Sequence, residues 1–580
     1  MKTIQVITFL ILSALACQAQ TTPPTIPSAK GVWKVVLKEP RELVKKLRIY
    51  PKGKNWKAQL GTKNIPVKYR HGKFTIRWKK AKFDGEFARD AQNPQQKIIK
   101  GFWRQYGYVA PVELHPKNSG WEGVREVQLK RLTFYLVIRP KKGGNFKGFI
   151  HNPERNQGIF IRIREIVQKQ RQVLIYGRDT TKPMFKGMLA KDGKTLHVKF
   201  RVHGMTGKVL HKVDTKKDIL VRPRVGQKTY AYQTPPQLHD GWQTASLEKQ
   251  GADMGKIKAL MEKILTQKYI YLHSILIMQN NKLLLEEYFY GHHRDQYHDT
   301  RSAGKSLAST MVGLALDQGL LSNVDQKILT FFPEYKGSIK HVGDRKKRIR
   351  IRDLMSMSSG LACNDDNYES PGHEDRMQEQ NAQPDWVKFT LDLPMKREPG
   401  KKAVYCTGGV NLLGQIVSNV SRKPSYEFLQ TYLFEPLGIK KYTMNMTPMG
   451  NGYLGGGIHM RPRDLAKFGQ LFANKGVWKG KRVISEKWVQ QATQGKATMH
   501  NASYKNYGYN WWIHRFEVEG EKFRCFYAAG NGGQLIFVVP KLDLVTVINA
   551  GNYGQGRLWL KYRDEIMPRY VIPALMKAKR

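Results

Sequence analysis

Two apolar periodicities divide this chain, and they meet at residues 230–236, where Pro235-Pro236 interrupts any strand. Before that point short alternating segments bounded by Gly, Pro, Asn and Asp recur: Trp33–Leu37, Leu47–Tyr50, Phe74–Trp78, Leu132–Ile138, Gly158–Ile163 and Leu196–Phe200. Period-two spacing of this kind predicts strands. After it, Met254–Leu265 carries apolar residues at helical spacing, and Tyr271–Gln279 with Lys282–Phe289 reads as a hairpin around Asn280-Asn281. Helical stretches follow at 305–320, 351–361, 410–420 and 463–468, then strands at 535–539 and 544–548. The chain is therefore expected to hold an all-β domain over residues 20–232 and an α+β domain over 240–580. Within the first, Leu47–Ala58 echoes Leu136–Gly148 as strand, basic turn, aromatic, strand, which suggests two related halves or two hairpins of like chemistry. Its tryptophans, Trp33, Trp56, Trp78, Trp103 and Trp121, are expected mainly in the core.

Residues 1–19 read as a secretory signal, with Lys2 as the charged start, Ile4–Leu15 as the apolar centre and Ala14, Ala16 and Ala19 near the cleavage point. Export to the periplasm or the medium follows. Because Ala14-Leu15-Ala16 fits a lipobox poorly, a soluble product is expected over lipid anchoring at Cys17. Processing leaves Cys363, Cys406 and Cys525, enough for one intramolecular disulfide and a spare thiol.

The formal net charge is +53. The excess concentrates early, with about 49 basic against about 14 acidic residues over 21–235. Such a field attracts polyanions, and export makes an anionic polysaccharide or a membrane surface the expected partner of the basic region rather than nucleic acid. Lysine that merely solvates the surface is the plain alternative, because the charges are spread along alternating strands. Oligomeric state is left open.

Ser302 and Lys305 stand three residues apart at the head of the apolar run that ends at Leu320. That spacing places a hydroxyl and an amine on one face of a helix's first turn, where the backbone dipole favours the neutral amine and makes it a base for the hydroxyl. Ser246 and Lys249 repeat the spacing, so the pattern alone does not choose. Upstream, His292, His293, His298 and Asp299 form a polar patch without the spacing of a metal site; neither a metal nor a cofactor is expected. Downstream, Tyr405 precedes a helix, Gly455-Gly456-Gly457 precedes another, and Ala528–Gly533 offers small residues that let a substrate lie against a strand.

Taken in order, Ser302–Lys305, Leu354–Leu361, Tyr405-Cys406-Thr407, Gly455–Phe468 and Gly530–Pro540 resemble the serine β-lactamase-related superfamily of class C β-lactamases, D,D-peptidases, esterases and amidases. The resemblance covers nearly all of 240–580 and sets Ser246 aside. It implies an antiparallel sheet flanked by helices with an inserted helical lobe. It also implies Ser302 as acylated nucleophile, Lys305 as base, Tyr405 as second proton-transfer group, and an oxyanion hole of the Ser302 and Asn531 N–H groups. Thr407, Ala528, Ala529 and Gly530 would lie against the substrate. For Tyr405 to act as a phenolate it needs a neighbouring ammonium, which Lys305 would supply. Two departures matter: Thr407 stands where the family commonly has Asn, and Ala528 where it has a cation that holds a substrate carboxylate. Arg461 is a replacement cation to consider. Cys363 and Cys406 both border the cleft in this fold and are expected to pair, leaving Cys525 free.

The sequence therefore reads as an exported serine hydrolase cleaving an ester or amide through an acyl-enzyme. The neutral third motif favours an esterase or amidase over a β-lactamase or D,D-peptidase. A catalytically silent surface-binding protein that works through its basic β region is the competing reading.

Overall fold

A computed structural model describes residues 26–37, 44–90, 93–126, 132–152, 163–177, 179–202, 205–380, 384–500 and 502–576. The expected signal segment, Cys17, and most of the strand expected over 158–163 lie outside them. The chain forms two compact units, and the β region expected over 20–232 is divided between them rather than kept whole.

One unit is a closed eight-stranded barrel built from Gly31–Leu37, Leu132–Pro140, Phe146–His151, Glu165–Lys169, Gln172–Tyr176, Phe185–Leu189, Thr195–Val202 and Met205–Lys212. Trp33 opposite Lys212 pairs its first and last strands, so no sheet edge is left bare there. Trp33, Tyr135, Ile166, Leu189 and Leu196 fill the interior.

The other unit carries the remaining β strands and everything after residue 215. Strands between Val44 and Glu126 form an open antiparallel sheet whose Tyr108–Lys117 strand pairs with Tyr442–Asn445, Val109 facing Met444. Tyr442–Asn445 pairs with Ile458–Met460, and that with His298–Asp299. One hydrogen-bonded ladder thus runs from the N-terminal sheet to the residues just before Ser302. Lys100–Glu435 at 3.1 Å and Lys440–Glu113 at 3.4 Å add ion pairs across this join. The two echoing sequences are both hairpins, Lys52 pairing Asn55 in this sheet and Pro140 pairing Phe146 in the barrel.

A seven-stranded sheet forms the centre of the same unit, in the order Gln243–Thr244, Lys282–Tyr288, Leu272–Gln279, Leu544–Ala550, Gln534–Val539, Glu521–Gly530, Trp512–Val518. All eight residues of Leu272–Gln279 are buried because helices cover both faces. Ile275 and Ile277 pack with the helix Met254–Leu265 and the C-terminal helical segment, whereas Leu276 and Met278 pack toward Lys305–Asp317 and Pro462–Ala473. The fold is the expected α+β one. The helix Lys305–Asp317 is buried along eleven residues, which explains its nearly unbroken apolar sequence. Among the described residues no helix is long and apolar enough to cross a membrane.

Candidate active site

Ser302 lies in a tight turn, Arg301–Gly304, and Lys305 opens the following helix. The turn is set locally. Asp299 accepts the Arg301 N–H at 3.0 Å, and Arg301 takes a left-handed backbone, φ 46°, which is costly for a residue with a Cβ and re-aims the chain at Ser302. Two glycines then close on the turn. A Cβ on Gly456 (φ 150°) would stand 2.6 Å from the Arg301 carbonyl carbon, and one on Gly530 would overlap the Thr300 carbonyl oxygen. Only glycine lets these backbones touch the turn.

Lys305 is 1% exposed. Its Nζ donates to Ser302 Oγ at 2.9 Å and to the Gly455 carbonyl at 2.5 Å. Burial pulls its pKa below the ordinary lysine range, Arg301 pulls the same way, and the Glu374 and Asp365 carboxylates oppose them without winning. The Tyr405 hydroxyl is hydrogen-bonded to Ser302, and its ring lies 5.1 Å from Lys305 Nζ. Burial, and then the Asp365, Glu374 and Asp366 carboxylates, raise the Tyr405 pKa well above 10 despite the Ser302 bond. That bias favours the neutral phenol over the phenolate, and burial is its largest cause.

Thr407, expected against substrate, is fully buried; its N–H donates to Asp365 Oδ2 at 2.6 Å and its hydroxyl approaches Glu374 Oε2 at 3.5 Å. Ala528 is buried on the strand face that Gly530 turns to the Ser302 turn, Ala529 is half-buried on the other face, and Asn531 follows in the tight turn before Gln534, its side chain accepting the Gly554 N–H at 2.9 Å. Arg461 does not replace the missing cation. It is committed to Asp464 at 2.7 Å and Asp295 at 3.6 Å. Cys363 and Cys406 form the expected disulfide, and Cys525 is a free, buried thiol.

Two side chains escaped the sequence reading: Asp365 and Glu374. Residues 364–375 contain five acidic residues and no Lys or Arg in a chain of 99 basic residues, a signal that was there to find. The polar patch upstream of Ser302 gathers differently from its sequence order. His273, on a bulge of the strand Leu272–Gln279, joins His292 and His298, their nitrogens within 4.8 Å of one another, while His293 stays outside the group. Burial and the His292 ring hold His298 down at about 3, so it is neutral. A cavity of about 840 Å³ has Arg348, Arg350, Lys401, Lys496 and Lys505 in its walls and none of the expected site residues. Its His500 stacks on Trp512, which stacks in turn on Tyr405.

A sequence profile of the beta-lactamase family matches residues 257–551, half of the chain. The chain belongs to the beta-lactamase family. It is similar to the 6-aminohexanoate-dimer hydrolase of Paenarthrobacter ureafaciens, 27% identical over 295 residues, covering 47% of this chain and 71% of that protein. It is also similar to the N-acetylmuramyl-L-alanine amidase of Bacillus subtilis, 27% identical over 138 residues, covering 24% of this chain and 30% of the relative. Among solved structures, simvastatin synthase from Aspergillus terreus aligns at 16% identity and a TM-score of 0.44, covering 56% of this chain and 99% of that one. As a beta-lactamase family member this chain is classed with the serine hydrolases of esters and amides. The N-terminal barrel and the sheet between Val44 and Glu126 lie before the matched segment.

Proposed function

We propose that the protein is an exported serine hydrolase that cleaves an ester or amide through an acyl-enzyme on Ser302. The observation that carries this reading is the convergence of the Lys305 amine, 2.9 Å away, and the Tyr405 hydroxyl on one oxygen, Ser302 Oγ. Lys305, biased toward its neutral form, takes the Ser302 proton as Oγ bonds to the substrate carbonyl carbon. The carbonyl electron pair moves onto oxygen, where the Ser302 and Asn531 N–H groups receive it; one such donor is worth about a hundredfold or more in rate. Tyr405 gives its proton to the leaving oxygen or nitrogen as that bond breaks, and Lys305 returns one to Tyr405. Water then repeats the sequence on the acyl ester.

With Ala528 neutral and Arg461 paired to Asp464, the site offers no obvious clamp for a substrate carboxylate at the third motif. That favours simple esters and amides over β-lactams and D-Ala-D-Ala peptides, and the printed names of a dimer hydrolase and an amidase among the relatives fit it. A Cys363–Cys406 bond supports residence in an oxidising compartment. Anionic polysaccharide or membrane binding by the basic region would show as a salt-sensitive pull-down.

The deciding experiment is labelling with a fluorophosphonate probe, followed by rates on p-nitrophenyl esters, nitrocefin and D-Ala-D-Ala peptides. Wild type labels and Ser302→Ala does not, with esters turned over fastest. Absence of wild-type labelling would return the protein to the silent-binder reading, and nitrocefin as the best substrate would make it a β-lactamase.

A further inference from the structure

We propose that Asp365 and Glu374 are positioning residues of this site, a disulfide-clamped pair of carboxylates that supplies the counter-charge for Lys305 when it takes the Ser302 proton. The inference rests on the reading of Lys305 as base.

The pair is held by a loop that folds back on the second motif. Cys363 is bonded to Cys406, the Asp365 N–H donates to the Tyr405 carbonyl at 2.9 Å, and the Thr407 N–H donates to Asp365 Oδ2 at 2.6 Å. Thr407 opens a 15-residue helix, so the Asp365 carboxylate sits on the positive end of its dipole. The Glu374 N–H then donates to Asp365 Oδ1 at 3.0 Å, which brings the second acid beside the first. Glu374 accepts from Tyr453 Oη and from Gln378 Nε2 at 3.0 Å, and Thr407 Oγ1 reaches it at 3.5 Å. These partners are all neutral donors. Among the described residues neither carboxylate has a Lys or Arg in ion-pair contact, and the cation both act on is Lys305.

Lys305 presents the complementary half. It is buried and touches a hydroxyl and a carbonyl but no carboxylate. An ammonium formed there without compensation would cost several kcal/mol. A carboxylate in direct contact would hold the proton permanently and leave no base. Two carboxylates at one remove satisfy both needs. Gly455, whose carbonyl Lys305 contacts, packs so close to Thr407 and Tyr453 that a Cβ on it would overlap Thr407 Cγ2 and stand 2.5 Å from Tyr453 Oη, and those two residues bond to Asp365 and Glu374. The other groups facing this centre are Arg301, which opposes the charge on Lys305; Asp366, which acts on Tyr405 from the same loop; and the neutral phenols of Tyr405, Tyr453 and Tyr507. Burial first, and Glu374 next, hold Asp365 up at about 6.

The test is the pH dependence of the fluorophosphonate labelling rate in wild type, Glu374→Gln, Glu374→Asp and Asp365→Asn, with near-ultraviolet circular dichroism as a fold control. Glu374→Gln keeps the shape and removes the charge. It is expected to slow labelling on the order of tenfold, and to move the acid limb to lower pH, because loss of a negative neighbour lowers the Lys305 pKa further. Glu374→Asp keeps the charge and should keep the limb of wild type. Asp365→Asn repeats the charge test should Glu374→Gln not fold. A purely structural pair predicts the reverse ranking, the shorter Asp worse than the isosteric Gln, and limbs that coincide; either result overturns the proposal. Wild type that does not label would instead overturn the Ser302 reading beneath it.

Discussion

Of the three buried lysines among the described residues of the hydrolase unit, Lys305 beside Ser302 and Lys467 in the helix Pro462–Ala473 meet opposite treatment. Lys467 is 0% exposed and stands 3.1 Å from Asp464, one turn before it, with the Gly438 carbonyl as second acceptor. Asp464 also receives Arg461, which reaches on to Asp295, so Lys467 belongs to a chain of charged partners. Lys305 is as deeply buried, yet its contacts are Ser302 Oγ and the Gly455 carbonyl, and the carboxylates that act on it make no ion-pair contact with it. Direct pairing makes a buried lysine a structural cation; withholding the partner makes it an amine that can accept a proton. The sequence already marks the difference, since an acid, Asp464, stands three residues before Lys467 and a hydroxyl, Ser302, three before Lys305.

The sharpest way to break this contrast is to replace each amine by an apolar side chain of similar length. Lys305→Met is expected to lower kcat/KM by about 10³- to 10⁴-fold while the urea midpoint holds or rises, since no paired carboxylate is abandoned. Lys467→Met should do the opposite, costing about 3 kcal/mol in urea unfolding because Asp464 is left with one partner, with the rate per folded molecule within about twofold of wild type. If Lys467→Met silences the enzyme while folded, the division into base and structural cation fails.

A smaller effect tests the acid pair through stability. The folded Asp365 pKa of about 6 lies above its unfolded value, so its contribution is fully present below pH 4 and is lost as pH rises through 6. Relative to Asp365→Asn, wild type should therefore lose about 1–2 kcal/mol between pH 4 and pH 8 in paired urea titrations. A constant difference across that range would mean the carboxylate is not held in its acid form by the fold. The smallest effect belongs to a third kind of lysine. Lys100, with a side chain 20% exposed, pairs with Glu113 at 3.7 Å within the N-terminal sheet and with Glu435 at 3.1 Å across the join. Lys100→Ala should cost about 0.5–1 kcal/mol and depend on salt.

Much of this was legible because it is local. Met254–Leu265 is a helix over the stretch its spacing predicts, and the Asn280-Asn281 turn joins the two strands expected around it. Ser302 and Lys305 are brought together by one turn, which a three-residue spacing can state. The repeated strand, basic turn and aromatic pattern, which suggested two related halves or two like hairpins, forms a hairpin at each copy, one in a closed barrel at 136–148 and one in an open sheet at 47–58. Which sheet a hairpin joins depends on edges supplied from elsewhere in the chain, such as Tyr442–Asn445 for the strand at Tyr108.

The sequence by itself determined the periodicities, the order of the Ser302, Tyr405 and Gly530 motifs, the absence of a cation at Ala528, and the pool of four cysteines from which a pair could form. Tertiary structure alone decided that Tyr405 is buried near Asp365 and Glu374, that Arg461 is spent on Asp464, and that Asp365 and Glu374 come within electrostatic reach of Lys305. The reason is physical. Spacing along a chain reports which groups can share a face, whereas protonation depends on burial and on charges brought close by folding, and Asp365 comes to Lys305 from a loop about 60 residues away.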